Sequence, residues 1–247
     1  GDVPLGAGMS SSAALESCFA YALNNLFGGN KLSQWDLVLI GQATEHNYCG
    51  VKCGIMDQFA SVFGKKGMLM RLDCNLREHA YFPFDLQGYR LVLLDSVVEH
   101  ELASSAYNDR RANCEHVVAA LKRKYPEKDI KTLRDADWEM LESVKTDISE
   151  EDMKRAAYVL AEKDRVLAVC EALNHGDYET VGKKMYETHE GLSKEYEVSC
   201  EELDFLNDIA KECGVTGSRI MGGGFGGCTI NLVRGDLYDK FVATAKT

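Results

Sequence analysis

An α+β protein in two lobes is the fold class this sequence predicts, and three observations carry it. Several stretches repeat apolar residues at three- to four-residue spacing, the period of an amphipathic helix. Shorter strand-like segments stand separately among them. The chain has 247 residues, 45% of them apolar, which is enough for one large or two moderate domains with a real core. A boundary near residue 87 is expected, with an incomplete N-terminal lobe over 1–87 and a C-terminal lobe over 88–247.

In chain order, residues 2–9 read as a Gly-rich turn. Residues 10–27 read as a helix, with Ala13, Ala14, Leu15, Phe19, Leu23 and Leu26 as its inward stripe and Gly28-Gly29 as its stop. Ser33 can cap a second helix that runs to about His46, with Leu37, Ile40 and Ala43 inward. A further glycine region, Cys49 to Met56, leads into Asp57-Gln58-Phe59. Residues 67–73 and 79–84 form a strand pair, and the continuous apolar run Tyr89 to Asp95 suggests a strand buried on both faces. Long helices are expected over 104–125 and 151–175, the second burying Ala156, Leu160, Leu167 and Cys170. Helices follow at 178–192 and 201–213. A second glycine cluster, Met221 to Gly227, precedes a strand from Cys228 to Val233. No internal repeat is visible.

The ends read as those of a piece cut from a longer protein. Gly1-Asp2-Val3-Pro4 opens without Met and runs straight into a glycine loop. Leu237, Tyr238, Phe241, Val242 and Ala245 form a helical stripe that stops at Lys246-Thr247 with no capping Gly or Asn.

Composition excludes several classes. With 28 Lys and Arg against 39 Asp and Glu, the net charge is −11, which disfavours nucleic acid and anionic membranes as partners. No apolar run approaches a membrane span. The nine cysteines are dispersed, Cys49 and Cys53 being the only close pair, which fits reduced thiols in a cytoplasmic protein. The six histidines lack paired ligand spacing, and Glu99-His100-Glu101 reads as surface.

The most informative stretch is Pro4-Leu5-Gly6-Ala7-Gly8-Met9-Ser10-Ser11-Ser12-Ala13-Ala14. Glycines let backbone N–H groups converge on an anion, and the helix that follows adds unpaired N–H groups and the positive end of its dipole. Three serines there can bond phosphate oxygens or ligate Mg²⁺. No Lys follows the glycines, so this is not a Walker loop, and the spacing is not that of a dinucleotide site. A glycine turn with serine helix caps is the plainer reading. Phosphoryl transfer also needs a hard oxygen ligand for its metal and a group that orients the attacking hydroxyl. Glu45 and Asp57 flank the Cys49–Met56 region and are candidates for these tasks. Glu45 could equally be a solvated helix residue. Asp57, set among Met56 and Phe59, is expected to be partly buried, with helix N-capping as its other reading. The five glycines of 222–227 either shape a tight turn or bulge, or let another segment or a ligand approach closely.

Together these segments resemble the GHMP sugar and small-molecule kinases, and within them the galactokinases. The residues are P-L-G-A-G-M-S-S-S-A-A-L-E at 4–16, C-G-I-M-D-Q-F at 53–59, L-A-S-S-A-Y at 102–107 followed by Arg110-Arg111, Y-E-V-S-C-E-E-L-D at 196–204 and G-S-R-I-M-G-G-G-F-G-G-C-T at 217–229. The resemblance runs from residue 1 to about 233. It implies the two-lobed GHMP kinase fold and ATP-dependent phosphorylation of the anomeric hydroxyl of α-D-galactose. By this likeness Gly6, Gly8, Ser10, Ser11, Ser12, Gly223 and Gly224 contact the nucleotide, and Ser12 and Glu45 hold Mg²⁺. Asp57 meets the sugar's C1 hydroxyl as base or as a fixed charge, and Gly54 and Tyr107 touch the sugar.

The family's Gly-Glu-His segment and an Arg facing the catalytic Asp are absent, so residues 1–247 alone are expected to be inactive. Other implied readings are an N-acetylgalactosamine kinase, another GHMP small-molecule kinase, or a non-catalytic sensor of galactose and ATP. The unbroken Ser10–Ala14 run and Asp57 weigh against the sensor.

Overall fold

The computed structural model describes Val3, residues 10–98 and residues 103–246, and for 103–105 the backbone alone. The rest of the expected 2–9 turn and the Glu99-His100-Glu101 run lie outside the described residues. The chain divides into two compact units, Gly1–Asp85 and Leu86–Thr247.

In the first unit, α1 spans Ser11–Leu26, α2 Gln34–Thr44 and α3 Met56–Phe63. Ser33 starts α2 through a capping box. Its hydroxyl accepts the Asp36 N–H at 3.2 Å and the Asp36 carboxylate accepts the Ser33 N–H at 2.8 Å. A π-helical turn, Glu45–Cys49, continues α2. The hairpin β1 (Met68–Asp73) and β2 (Glu78–Pro83) pairs antiparallel from Met68 opposite Pro83 to Asp73 opposite Glu78. Val38, Ile55, Phe59 and Phe63 form the core, against which Trp35, Val62, Met70 and Leu72 pack. Phe59 and Phe63 stack at 4.6 Å between ring centres.

The expected inward faces of α1 and α2 need correction. On α1, Leu15, Phe19, Leu23 and Leu26 are more than half exposed, and Ala13, Ser17 and Asn24 are buried. Small side chains let α1 lie close to its neighbours, and Asn24 satisfies its amide locally. That amide exchanges hydrogen bonds with the backbone of Leu32 at 3.3 and 3.2 Å. On α2, Leu37 is buried as expected, but Val38 and Gly41 turn inward in place of the exposed Ile40 and Ala43.

The second unit contains β3 (Tyr89–Asp95), α4 (Ala103–Lys124), α5 (Trp138–Ser143), α6 (Glu150–Asn174), α7 (Tyr178–Lys194), α8 (Glu201–Glu212), β4 (Gly217–Ile220), β5 (Cys228–Arg234) and α9 (Tyr238–Ala245). Its sheet has the order β3-β5-β4, with both pairings antiparallel. Ile209, Ala210, Cys213, Val215, Val233 and Phe241 pack around the sheet. A separate helical core joins α4, α5 and α6 through Val117, Leu121, Leu141, Ala156 and Leu160. That core ends at Leu160, so Leu167, one of the expected buried positions, is half exposed while Ala156, Leu160 and Cys170 are buried. Likewise β3 is an edge strand, not one covered on both faces, and Leu91 and Leu93 are exposed. No helix among the described residues is long and apolar enough to cross a membrane.

Candidate functional site

The N-terminus of α1 meets Asp57 inside the first unit. Ser10 precedes α1 in a left-handed conformation (φ 48°) and opens the helix by accepting the Ala14 N–H at 3.1 Å. Its hydroxyl does not cap the helix. It donates to Asp57 Oδ2 at 2.5 Å. The reading of Ser10 as a plain helix cap therefore fails. The first turn of α1 lacks intrahelical acceptors for its N–H groups, so it is electropositive toward an anion. Ser11 is half-buried and Ser12 exposed in that turn; Gly6 and Gly8 lie outside the described residues.

Asp57 corrects two expectations. It is not an N-cap, since Ile55 holds that position and Asp57 lies in the first turn of α3. Nor is it partly buried. Ile55, Gln58 and Phe59 take the inward positions, leaving the Asp57 side chain exposed. An exposed carboxylate at this place is free to meet a ligand from solvent.

Glu45, in contrast, is not a solvated helix residue: it is only 7% exposed. The π-turn brings it beside Cys49, and Glu16 of α1 completes a group whose ligand atoms all lie within 4.8 Å of one another. Oε2 of Glu16 is buried without a hydrogen-bond partner. Burial raises the Glu16 pKa, the neighbouring Glu45 charge adds to the rise, and a hydrogen bond from Gln58 opposes it. Desolvation and then Glu45 raise the Cys49 thiol pKa as well. Glu16 and Glu45 offer carboxylate oxygens. Ser12 lies one turn before Glu16 on α1. Such a donor set suits a hard divalent cation. Sequence reasoning missed Glu16; its i+4 spacing from Ser12 was the available signal.

The second glycine cluster belongs to the second unit. The Met221 N–H donates to the Cys228 carbonyl at 2.9 Å, closing a turn between β4 and β5. Gly224 is buried with φ +81°, and a Cβ there would stand 2.1 Å from the Val198 carbonyl oxygen. The Phe225 N–H donates to that same carbonyl at 2.6 Å. The packing therefore accounts for glycine at 224. It does not at 223, where a Cβ would meet nothing nearer than the Tyr107 ring at 3.8 Å. Tyr107 is 43% exposed and lies on α4. Gly54 of the first unit also has open space around it. These two exposed glycines are where a ligand could approach the backbone.

A strap between α7 and α8 supports this turn and escaped the sequence reasoning. Arg110 donates to the carbonyls of Tyr196 at 2.6 Å and Glu197 at 3.0 Å. Arg155, 2% exposed, donates to the Glu195 carbonyl and, at 2.6 Å, to the Glu197 carboxylate, which Lys154 also meets at 2.6 Å. Hydrogen bonds from Arg155 and Lys154 hold the Glu197 pKa down at about 2.

The model of the GHMP kinases N-terminal domain matches residues 1–65, and that of the GHMP kinases C-terminal domain matches residues 169–241. The chain is 45% identical over 240 residues to a galactokinase of Thermotoga maritima, covering 97% of this chain and 65% of that relative. It is 40% identical over 248 residues to a galactokinase of Clostridium acetobutylicum, covering 100% of this chain and 63% of the relative. The chain thus spans under two thirds of the length of these relatives. A crystal structure of Lactococcus lactis galactokinase complexed with galactose superposes with a TM-score of 0.90 at 35% identity, covering 99% of this chain and 63% of that one. A mevalonate kinase of L. major with R-mevalonate shares the fold at TM-score 0.59 and 22% identity, with 96% and 60% covered.

Proposed function

The chain belongs to the GHMP kinases, and on that premise we propose that it serves ATP-dependent phosphorylation of the anomeric hydroxyl of α-D-galactose, giving galactose 1-phosphate and ADP. The observation that carries this reading is the Ser10–Asp57 hydrogen bond, which sets an exposed carboxylate against the start of α1. A helix N-terminus receives phosphate, and a carboxylate beside it can hold or deprotonate the attacking hydroxyl. The choice of galactose rests on relatives at 40–45% identity that are galactokinases, and on the galactose complex of the Lactococcus lactis enzyme.

Ser10, Ser11 and Ser12, with Gly6 and Gly8 before them, receive the phosphates of ATP in this reading. Asp57 gives up its Ser10 hydrogen bond to the C1 hydroxyl of the sugar. In a loose transition state the nucleophile needs little deprotonation in advance, so orientation by Asp57 contributes as much as its basicity. The family likeness assigns Gly54 and Tyr107 to the sugar and Gly223 and Gly224 to the nucleotide, with Gly224 shaping its turn. Ser12 and Glu45, joined by Glu16, would hold Mg²⁺, which would supply positive charge against the phosphates of ATP. The free cysteines support a cytoplasmic location.

The test is ADP release from ATP by the protein at its natural full length, with and without galactose, and identification of the sugar phosphate. Galactose-dependent ADP release with galactose 1-phosphate as product is expected. Equal release without the sugar would overturn the reading.

A further inference from the structure

The Y-E-V-S-C-E-E-L-D segment and Arg110 take no part in the chemistry above, yet they are among the most heavily bonded residues of the second unit. Glu197 is a non-glycine residue at φ 52°, a backbone conformation that persists only when its surroundings enforce it. Here three cations enforce it. Lys154 and Arg155 take its carboxylate, and Arg110 takes its carbonyl and that of Tyr196. Arg155 is almost wholly buried, so its donors fix the strap to α6 without competition from water. One residue on, the strap delivers the Val198 carbonyl to the Phe225 N–H, with Gly224 packed on the same peptide. One turn before Arg110 on α4 lies Tyr107, whose ring is the nearest group to the open side of Gly223. The strap is thus tied to α4 through Arg110 and to the glycine turn through Val198.

We propose that Glu197 is a positioning residue. Clamped by Lys154, Arg155 and Arg110, it sets the Val198 carbonyl that holds the 222–227 turn in the conformation that receives nucleotide phosphate. This deepens the kinase reading and rests on it for the identity of the ligand. Glu197 touches neither substrate; it acts through Val198 and Phe225. Removing its charge takes the carboxylate from Lys154 and Arg155 and leaves the strap held by Arg110 through its carbonyls, and the strap can then leave its left-handed conformation.

Three variants in the full-length protein test this: Glu197→Gln, Glu197→Gly and Arg110→Lys. The readouts are amide exchange of Phe225, the dissociation constant for ATP by titration calorimetry, and the melting temperature. Asp208→Asn removes one charge from an exposed pair with Lys211 on α8 and serves as the control. Glu197→Gln is expected to speed Phe225 exchange and weaken ATP binding, each by about tenfold, and to leave exchange in α6 unchanged. Glu197→Gly frees the backbone of its left-handed strain, so the same two changes in that variant assign them to the carboxylate. Arg110→Lys keeps one bond and falls between.

Wild-type exchange and ATP affinity in Glu197→Gln would overturn the proposal. So would a lowered melting temperature with faster exchange throughout the unit and unchanged ATP affinity, the pattern of a merely structural role. Calorimetry needs no sugar turnover. Failure to phosphorylate galactose would therefore sink the functional reading and leave this test standing.

Discussion

The two glycine regions of this chain are built in opposite ways. At the start of α1, the described residues give the polar groups few partners. Asp57 is exposed with Ser10 as its partner, and Glu16 has a buried oxygen with none. At the 222–227 turn, backbone groups are matched to backbone groups, and three cations hold the supporting strap. On the proposed function the difference separates two tasks: one region would exchange its partners for a substrate, and the other would present a fixed surface.

If that division is right, Asp57→Ala should give the largest change, and only in rate. Turnover should fall about 10³-fold with the melting temperature nearly unchanged, because the lost hydrogen bond is exposed. A steady-state assay paired with a melting curve checks both halves. Undiminished turnover would remove Asp57 from its role.

The second glycine region should answer in the opposite currency. Gly224→Ala drives a Cβ into the Val198 carbonyl and adds strain at φ +81°, so a loss of about 3 kcal/mol is expected by chemical denaturation. Gly223→Ala, one residue away in open space, should stay within about 0.5 kcal/mol of wild type. Equal costs at 223 and 224 would break the comparison.

Acid should sharpen it. The Glu197 carboxylate has its folded pKa lowered from 4.5 to about 2. Its contribution is therefore complete above pH 4.5 and is lost as pH falls from there toward 2. Melting of wild type and Glu197→Gln should converge across that window and stay parallel above it. Glu197 is half exposed, so screening keeps the gap modest. A modest effect is expected at Ser33→Ala, at the start of α2. Loss of the capping box costs about 1 kcal/mol, readable as a shift in denaturation midpoint without a change in slope.

Much of the element order was legible in the sequence, because periodicity and caps are local. The Ser33 cap, the 67–84 hairpin and the long helices of the second unit stand where the pattern puts them. β4 and α5 were missed. Each is short, at four and six residues, and gives too few positions for a period to register. Which face turns inward was less legible. Apolar content suggested Leu15, Phe19 and Leu23 for α1, but close helix packing selects small residues, and Ala13 and Ser17 are what it buried. In the candidate site, Ser12, Glu45 and Asp57 were legible from motif and chemistry. Glu16 was not, because it reads as an ordinary helix carboxylate until Glu45 is set beside it. The strap was hidden for a different reason: its bonds run from arginine side chains to carbonyls 40 to 87 positions away, and any residue type supplies a carbonyl.

The π-turn at Glu45–Cys49 also carries a history. Such a turn amounts to one residue inserted into an α-helix. Deleting a residue there would restore ordinary winding and carry everything downstream round by about 100°. Glu45 would lose Cys49 from its side, and the lead-in to α3 would be re-aimed. Through this stretch the length of the chain is under tighter constraint than most of its letters. Relatives that diverge freely in sequence here should still agree on the count.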